Sequence, residues 1–307
     1  MNSISVFAPA TVANISCGYD VLGCCLNGVG DQMNVHRSSS KNVTITKIEG
    51  AKLPFEAHKN VASVAVMAML EQLNDPSIGI DIEIFKKIKS GSGIGSSAAS
   101  SAGAVWAVNE LLNRPFTANQ LVQFAMEGER IASGSAHADN VAPALLGGFT
   151  LVRSYSPLDV IKLHTPPDLY FTVIHPQIEV KTEDSRRILK PSLPLKNAVT
   201  QWGNLGGFIS GLYTEDYDLI SRSLSDIVIE PLRAILIPKF KEVQQIALEN
   251  GALGAGISGS GPSIFALSKG KATAEKVAKG MRQIYKETSI GFDVHITSVN
   301  SAGVTCI

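Results

Sequence analysis

Three glycines at alternate positions, Gly91, Gly93 and Gly95, run straight into a serine pair in the order Lys89-Ser-Gly-Ser-Gly-Ile-Gly-Ser-Ser-Ala-Ala-Ser100. Residue types in that order suit an anion. Glycine lets successive backbone amides turn toward one point with no Cβ in the way. A helix starting near Ser96 adds unpaired N–H groups and the positive end of its dipole. The hydroxyls of Ser96 and Ser97 can donate to a phosphate or ligate a metal ion. No Gly-Lys-Ser/Thr ending is present, so this is not the common phosphate loop with its lysine. Taken alone, the same residues would also make a tight strand-to-helix turn with a small-residue packing face.

Two other segments are of the same kind: Phe7-Ala-Pro-Ala-Thr-Val-Ala-Asn-Ile-Ser-Cys-Gly-Tyr-Asp-Val-Leu-Gly23 and Gly254-Ala-Gly-Ile-Ser-Gly-Ser-Gly-Pro-Ser263. The second spells the dinucleotide fingerprint Gly-x-Gly-x-x-Gly. Its context is reversed, because a helix comes before the glycines and a strand after, whereas pyrophosphate binding needs strand then helix.

The elements that must hold these loops follow from periodicity. Alternation predicts strands at Ser3–Ala8, Gln32–Arg37, Asn42–Glu49 and Ile78–Ile84, with a turn at Asn27–Gly28. A dense apolar run predicts a helix from Asn60 to Leu73, and a second runs from Ser96 to about Leu112. The glycine loop therefore lies between a strand and a helix. Thr117-Ala-Asn-Gln120 reads as a capping box, with Phe116 and Leu121 as its hydrophobic staple, opening a helix through about Ile131. Glu129 falls in its last turn, where a carboxylate opposes the dipole and a cation partner would relieve it. Further strands are expected at Phe149–Arg153, Asp168–His175, Ser263–Ser268 and Phe292–Val299. Helices are expected at Val199–Tyr213, Tyr217–Ser225, Lys239–Asn250 and Thr273–Glu287. This interleaving argues for a mixed α+β architecture, with a break near Ser154–Pro157.

At 307 residues, 45% hydrophobic and 18% charged, the chain can bury one large or two medium cores. Lys plus Arg and Asp plus Glu both total 27, with no run of like charge, which speaks against nucleic acid as a partner. Apolar runs are too short to span a membrane and the N-terminus lacks a signal-peptide pattern, so a cytoplasmic location is expected. Four cysteines offer no Cys-x-x-Cys pair and read as small buried hydrophobes in a reducing compartment.

The three glycine-rich segments resemble, in order and over essentially the whole chain, the three motifs of the GHMP kinases, the family of galactokinase, mevalonate kinase and their relatives. His137-Ala-Asp-Asn-Val-Ala-Pro-Ala-Leu-Leu-Gly-Gly148, Ser185-Arg186 and Glu230-Pro-Leu-Arg233 narrow that resemblance to the branch that phosphorylates homoserine. It implies a GHMP kinase-like two-domain α+β fold. The ATP-binding N-terminal domain, residues 1–155, would be ribosomal protein S5-like, and the C-terminal domain, residues 156–307, ferredoxin-like, with the active site in the cleft between. It also implies ATP and Mg2+, small-molecule partners, and room for a homodimer.

The same resemblance assigns residues. ATP and its phosphates fall to Asn60 and to Lys89, Ser90, Gly91, Ser92, Gly93, Ile94, Gly95, Ser96, Ser97, Ala98 and Ala99. Magnesium falls to Ser97 and Glu129, a hydroxyl and a carboxylate that suit a hard cation also holding waters and phosphate oxygens. Homoserine falls to Asn14, Asp20, His137, Asp139, Thr182, Arg186, Arg233 and Gly259. The two arginines offer the forked donors a carboxylate fits, and Asn14, Asp20 and Asp139 are amide or acidic groups for the ammonium. Catalysis falls to Asn140 with Glu129 and Ser97. Mevalonate-type members carry an aspartate where this chain has Asn140, so the resemblance implies an orienting amide in place of a general base there. Lys89 stands where the family commonly has proline. A mevalonate-type acceptor, and a non-catalytic sensor on the same fold, remain alternatives at this point.

Overall fold

The computed structural model describes residues 1–180 and 182–307. The first half runs β1 (Ser3–Ala13), β2 (Leu22–Ser38), β3 (Val43–Glu49), α1 (Val61–Leu73) and β4 (Gly79–Phe85). It continues with α2 (Ser96–Leu111), α3 (Ala118–Ser133), α4 (Val141–Leu146), β5 (Phe149–Tyr155) and β6 (Leu158–Leu163). The second half runs β7 (Leu169–Pro176), α5 (Thr182–Arg187), α6 (Leu195–Thr214), α7 (Tyr217–Ser223), α8 (Glu230–Arg233) and α9 (Phe240–Glu249). It ends with β8 (Gly254–Ile257), β9 (Ile264–Lys269), α10 (Lys271–Lys286), β10 (Phe292–Ser298) and β11 (Thr305–Cys306).

Two sheets result. The first has the order β11-β1-β2-β4-β3, with the β5–β6 hairpin branching from the other end of β2. β2 can serve both branches because it is long and bent. The turn expected at Asn27–Gly28 is instead a kink inside this strand: Gly28 has φ +66°, where pairing with β1 slips between Pro9 and Thr11. Beyond the kink β2 pairs with β4, and before it with β5. The second sheet is antiparallel in the order β10-β7-β9-β8, and its βαββαβ connectivity is ferredoxin-like.

The expected division at residue 155 falls inside the β5–β6 hairpin, whose strands pair along their length, so the chain leaves the first sheet only after Leu163. The last strand, β11, returns to it beside β1.

The helix behind the glycine loop owes its position to small side chains. α2 lies close on β1 and β2 because Gly103 has no Cβ: one placed there would sit 2.8 Å from both Ala8 Cβ and Met33 Sδ. Ala98, Ala99, Ala102 and Val105 of the same helix are fully buried. The α3 capping box forms as expected between Thr117 and Gln120, although Phe116 packs edge-on against Phe124, ring centroids 4.8 Å apart. α3 continues to Ser133, which sets Glu129 one turn inside its end rather than in the last turn. Cys17, Cys24 and Cys25 are buried free thiols, while Cys306 is exposed. No helix among the described residues is long and apolar enough to cross a membrane.

Candidate active site

The glycine loop, the first glycine-rich segment and the β8–β9 turn interlock by hydrogen bonds. Thr11 N donates to Ile94 O (3.1 Å), Ser263 N to Ser92 O (3.2 Å), and the Ser258 hydroxyl to Gly93 O (2.7 Å). Asn14 Nδ2 donates to Gly259 O (2.7 Å), and Gly259 N to Ala13 O (3.1 Å). Gly93 and Gly95 are glycine for space as well as for φ, which is +81° and +70°. A Cβ on Gly93 would sit 2.6 Å from Gly261 O, and one on Gly95 2.1 Å from Thr11 Oγ1.

Glycines 254 and 256, two of the three in the apparent dinucleotide fingerprint, lie in strand β8 and pack under Leu224 and against Ser16 and Glu230. Only Gly259 is in a turn, so the segment serves as a wall of the site.

The first segment reaches this position through strain. Asn14, Ile15 and Ser16 have φ of 71°, 40° and 54°, a left-handed run that costs on the order of 1–3 kcal/mol per residue. Asn14 holds the bend from both sides. Its N–H donates to Leu22 O (2.8 Å), and its Oδ1 accepts from Asp20 N (3.0 Å).

These segments wall a cavity of about 830 Å³. Ser90, Gly91, Ser92, Gly93, Gly95, Ser96 and Ser97 line one end, where α2 begins with Gly95 as N-cap and no side chain over its first amides. Ile94, Ala98 and Ala99 belong to the same stretch but are turned into the core. Lys89 also lies off the cavity wall, paired with Asp293 at 2.9 Å. Asn60 is buried as the N-cap of α1, its Oδ1 accepting from Ala62 N (3.0 Å) and its amide donating to Pro54 O (2.8 Å).

Glu129 lines the same end of the cavity from α3. Burial pushes its carboxyl up from 4.5 to about 7, against the opposing pull of a hydrogen bond with Ser97 and the charge of Lys86. A buried carboxylate and a hydroxyl in contact beside unprotected helix amides fit a divalent cation that also takes phosphate oxygens. No cluster of three or more His, Cys, Asp or Glu among the described residues forms a closed metal cage.

Lys86 was not legible in the sequence. It lies just after β4 with its side chain 2% exposed, forms an ion pair with the fully buried Asp31, and donates to Ser96 O (2.8 Å) and Ser100 Oγ (3.1 Å). Asp31 Oδ1 in turn accepts from Lys87 N (2.7 Å) and Ile88 N (2.9 Å). The pair thereby ties β2 and the loop's entry to the first turn of α2.

Asn14, Asp20, His137, Asp139, Asn140, Thr182, Arg186, Arg233 and Gly259 also line the cavity, with Asn140 and Gly259 beside the glycine loop. Arg186 Nη2 donates to Asp20 Oδ1 (2.8 Å), and its Nη1 to Asp20 Oδ2 (3.1 Å) and to the Tyr19 hydroxyl (2.8 Å). Arg233, 3% exposed, donates to Ser185 O (2.9 Å), Gly259 O (3.2 Å) and the Tyr19 hydroxyl (3.3 Å). Its guanidinium lies 4.9 Å from the Tyr19 ring centre. Tyr19, absent from the sequence-based assignment, is thus a shared partner of both arginines.

Burial pushes Asp139 up to about 7, reinforced by the charges of Asp20 and Glu129. Burial lowers His137, while Asp20, 3.8 Å away, works against that. Nε2 of His137 and Nε of Arg186 are buried without a hydrogen-bond partner among the described residues. Asn140 Oδ1 accepts from the Thr11 hydroxyl at 2.7 Å, which fixes the amide plane and leaves its Nδ2 donors to offer.

An anion cradle at one end of a cleft and paired arginines with acidic groups at the other define a small-molecule phosphotransferase. The comparisons agree on the family: the GHMP kinases N terminal domain matches residues 60–148, and the GHMP kinases C terminal matches residues 208–287. The chain belongs to the GHMP kinases. It is 49% identical to a homoserine kinase of Chloroherpeton thalassium over 94% of each chain. The crystal structure of a homoserine kinase from Cytophaga hutchinsonii superimposes with a TM-score of 0.96 at 51% identity, covering 100% of this chain and 98% of that one. A mevalonate kinase shares the fold at a TM-score of 0.70 and 15% identity, covering 97% and 99%.

Proposed function

We infer that this protein is an ATP-dependent homoserine kinase, transferring the γ-phosphoryl of ATP to the hydroxyl of L-homoserine to give O-phospho-L-homoserine and ADP for threonine biosynthesis. One observation supports it best. The phosphate loop and a cluster built for an α-amino acid face each other across one cavity, in a chain 49% identical to a homoserine kinase.

Phosphoryl transfer through a loose transition state asks mainly for positioning and charge neutralisation. The amides of Gly93 to Ser97 and the start of α2 hold the phosphates. Ser97 and Glu129 would hold Mg2+, whose contribution when bound is to neutralise charge between the transferred and leaving phosphates. Arg186 and Arg233 take the α-carboxylate of the acceptor, and Asp20, His137 and Asp139 take its ammonium. An ammonium beside Asp139 favours the ionised carboxylate that burial opposes.

Asn140 donates to the acceptor hydroxyl and orients it for direct attack, the proton leaving to phosphate or water. We draw the ATP-binding unit through residue 163, since β6 completes its sheet. The free thiols of Cys17, Cys24 and Cys25 suit a cytoplasmic setting.

The test is ADP release measured with homoserine, threonine, serine, mevalonate and galactose in turn. Homoserine should dominate. Faster turnover of mevalonate, or no turnover of any of these alcohols, would overturn the assignment.

A further inference from the structure

Arg233 and Tyr19 stand 214 residues apart in the chain, yet the guanidinium lies 4.9 Å from the ring centre. The hydrogen bond between them, at 3.3 Å, is longer than usual. Their separation must therefore be set from outside the pair.

Arg233 closes α8, which has only four residues. A single turn is not stable alone, because its first N–H groups have no acceptor within the helix. Asp226, just ahead of it, supplies one. Its Oδ1 accepts from Val228 N (2.9 Å) and Ile229 N (3.0 Å), and its Oδ2 from Glu230 N (2.9 Å). Three amides converging on one carboxylate fix where the turn starts, and so where Arg233 is delivered.

The same carboxylate is tied to the segment that carries Tyr19. Gln201 of α6 donates through Nε2 both to Asp226 Oδ1 (3.2 Å) and to Cys17 O (3.1 Å), while its Oε1 accepts from Ile227 N (3.3 Å). One turn further along α6, Asn204 Nδ2 donates to Ser225 O (2.9 Å). Cys17 directly follows the left-handed run Asn14–Ser16 and leads into Tyr19. A single amide thus joins the two segments that meet at Arg233 and Tyr19. Neither Gln201 nor Asp226 lines the 830 Å³ cavity, so both act through those two residues rather than on a substrate.

Asp20 has ties of its own. Its N–H donates to Asn14 Oδ1 (3.0 Å), its carbonyl accepts from the Tyr155 hydroxyl (2.8 Å), and its carboxylate is held by Arg186. Loosening the link through Gln201 therefore displaces Arg233 against Tyr19 and leaves the ammonium side in place.

We propose that Asp226 and Gln201 are positioning residues for the acceptor, a brace that sets Arg233 against Tyr19 and thereby governs selection for an α-carboxylate. The proposal rests on the homoserine reading above and names the residues that tune it.

Steady-state kinetics with homoserine and with 3-amino-1-propanol, which lacks the carboxylate, test it on the native protein, Gln201→Leu, Asp226→Ala, Asp226→Asn and the Gln201→Leu/Asp226→Ala double variant, with cooperative melting checked for each. Gln201→Leu and Asp226→Ala should each raise the KM for homoserine by roughly tenfold, with kcat and the KM for ATP nearly unchanged. The kcat/KM for 3-amino-1-propanol should hold, so the preference for homoserine falls by the same factor. Asp226→Asn, which keeps one acceptor oxygen for the amides, should fall between native and alanine. The double variant should lose little more than the worse single one, since the two residues are links of one network. Where Asp226→Ala fails to melt cooperatively, Gln201→Leu decides. Parallel loss of both acceptors would make the brace a support of the fold only and overturn the proposal. A native preference that the variants keep in full overturns the brace alone, whereas a native protein that does not prefer homoserine overturns the acceptor reading and the brace with it.

Discussion

Arg186 holds Asp20 with both of its terminal nitrogens, at 2.8 and 3.1 Å, and so presents a fork already filled by a carboxylate of its own chain. An incoming α-carboxylate must share or displace that partner, and the released Asp20 is then placed to meet the ammonium. Arg186→Met should raise the KM for homoserine by about ten- to two-hundredfold, in line with a charge-assisted bond of about 1.5–3 kcal/mol, while the KM for ATP barely moves. Tyr19→Phe removes the hydroxyl shared by Arg186 and Arg233 and should raise the same KM several-fold with little change in kcat. Steady-state kinetics with homoserine and its decarboxylated analogue, 3-amino-1-propanol, decides: if the native enzyme does not prefer homoserine, the carboxylate pocket is misassigned.

Glu129 makes stability and activity respond oppositely to pH. Its carboxyl, raised from 4.5 to about 7 by burial, binds protons more tightly when the protein is folded, so folding is favoured by protonation. The stability of the nucleotide-free protein should therefore fall as pH rises from about 4.5 to 7, with a ceiling of about 3 kcal/mol at about 1.4 kcal/mol per pH unit. Glu129→Gln should melt at higher temperature than the native chain at pH 8 and lose most turnover, since it takes the anionic ligand from the metal site. Calorimetry across pH together with ADP release at limiting magnesium checks both halves. Wild-type turnover in the variant would remove Glu129 from that site.

Space separates the three glycines of the loop. A Cβ on Gly91 would meet no atom within 4 Å, but one on Gly95 would collide with Thr11 and approach Asn140 to 3.0 Å. Both residues have positive φ, so alanine strains the backbone at either. Gly95→Ala should nonetheless weaken ATP binding far more than Gly91→Ala, and should also lower kcat by shifting Asn140. Isothermal titration with a non-hydrolysable ATP analogue separates the two variants; equal losses would mean that strain alone matters.

What could be read from sequence was local chemistry. The glycine loop, the Thr117–Gln120 box and the helix from Asn60 announce themselves through backbone and capping preferences of adjacent residues. Asn60 shows the limit: a capping asparagine and a ligand-binding one have the same side chain, and its amide is spent on Ala62 and Pro54. The β8 strand was hidden because glycine has low strand propensity, and tertiary contacts with Leu224 and Ser16 select it there. The parallel pairing of β3 with β4 and the return of β11 to β1 depend on partners far apart in the chain. Tyr19 was hidden for the same reason, since its arginine partners lie 167 and 214 residues away.

Lys86 and Asp31 are the clearest case, because they are 55 residues apart and Lys86-Lys87 reads as a solvated pair. Two charges removed from water are stable only while each has its partner. Lys86→Met should leave Asp31 ionised and buried, costing about 3–5 kcal/mol of unfolding free energy. Asp31→Asn should cost less, because its side-chain oxygen can still accept from the amides of Lys87 and Ile88. A merely structural pair would be repaired by removing both charges: Lys86→Met with Asp31→Asn, which keeps an acceptor for the amides of Lys87 and Ile88, should recover much of the stability lost in the Lys86→Met variant. Catalysis should not return with it, since Lys86 also holds Ser96 O and Ser100 and lends charge to the phosphate end of the cavity. Chemical denaturation and kcat measured on all three variants separate the two roles. A double variant that recovered stability and turnover together would make Lys86 a packing residue and nothing more.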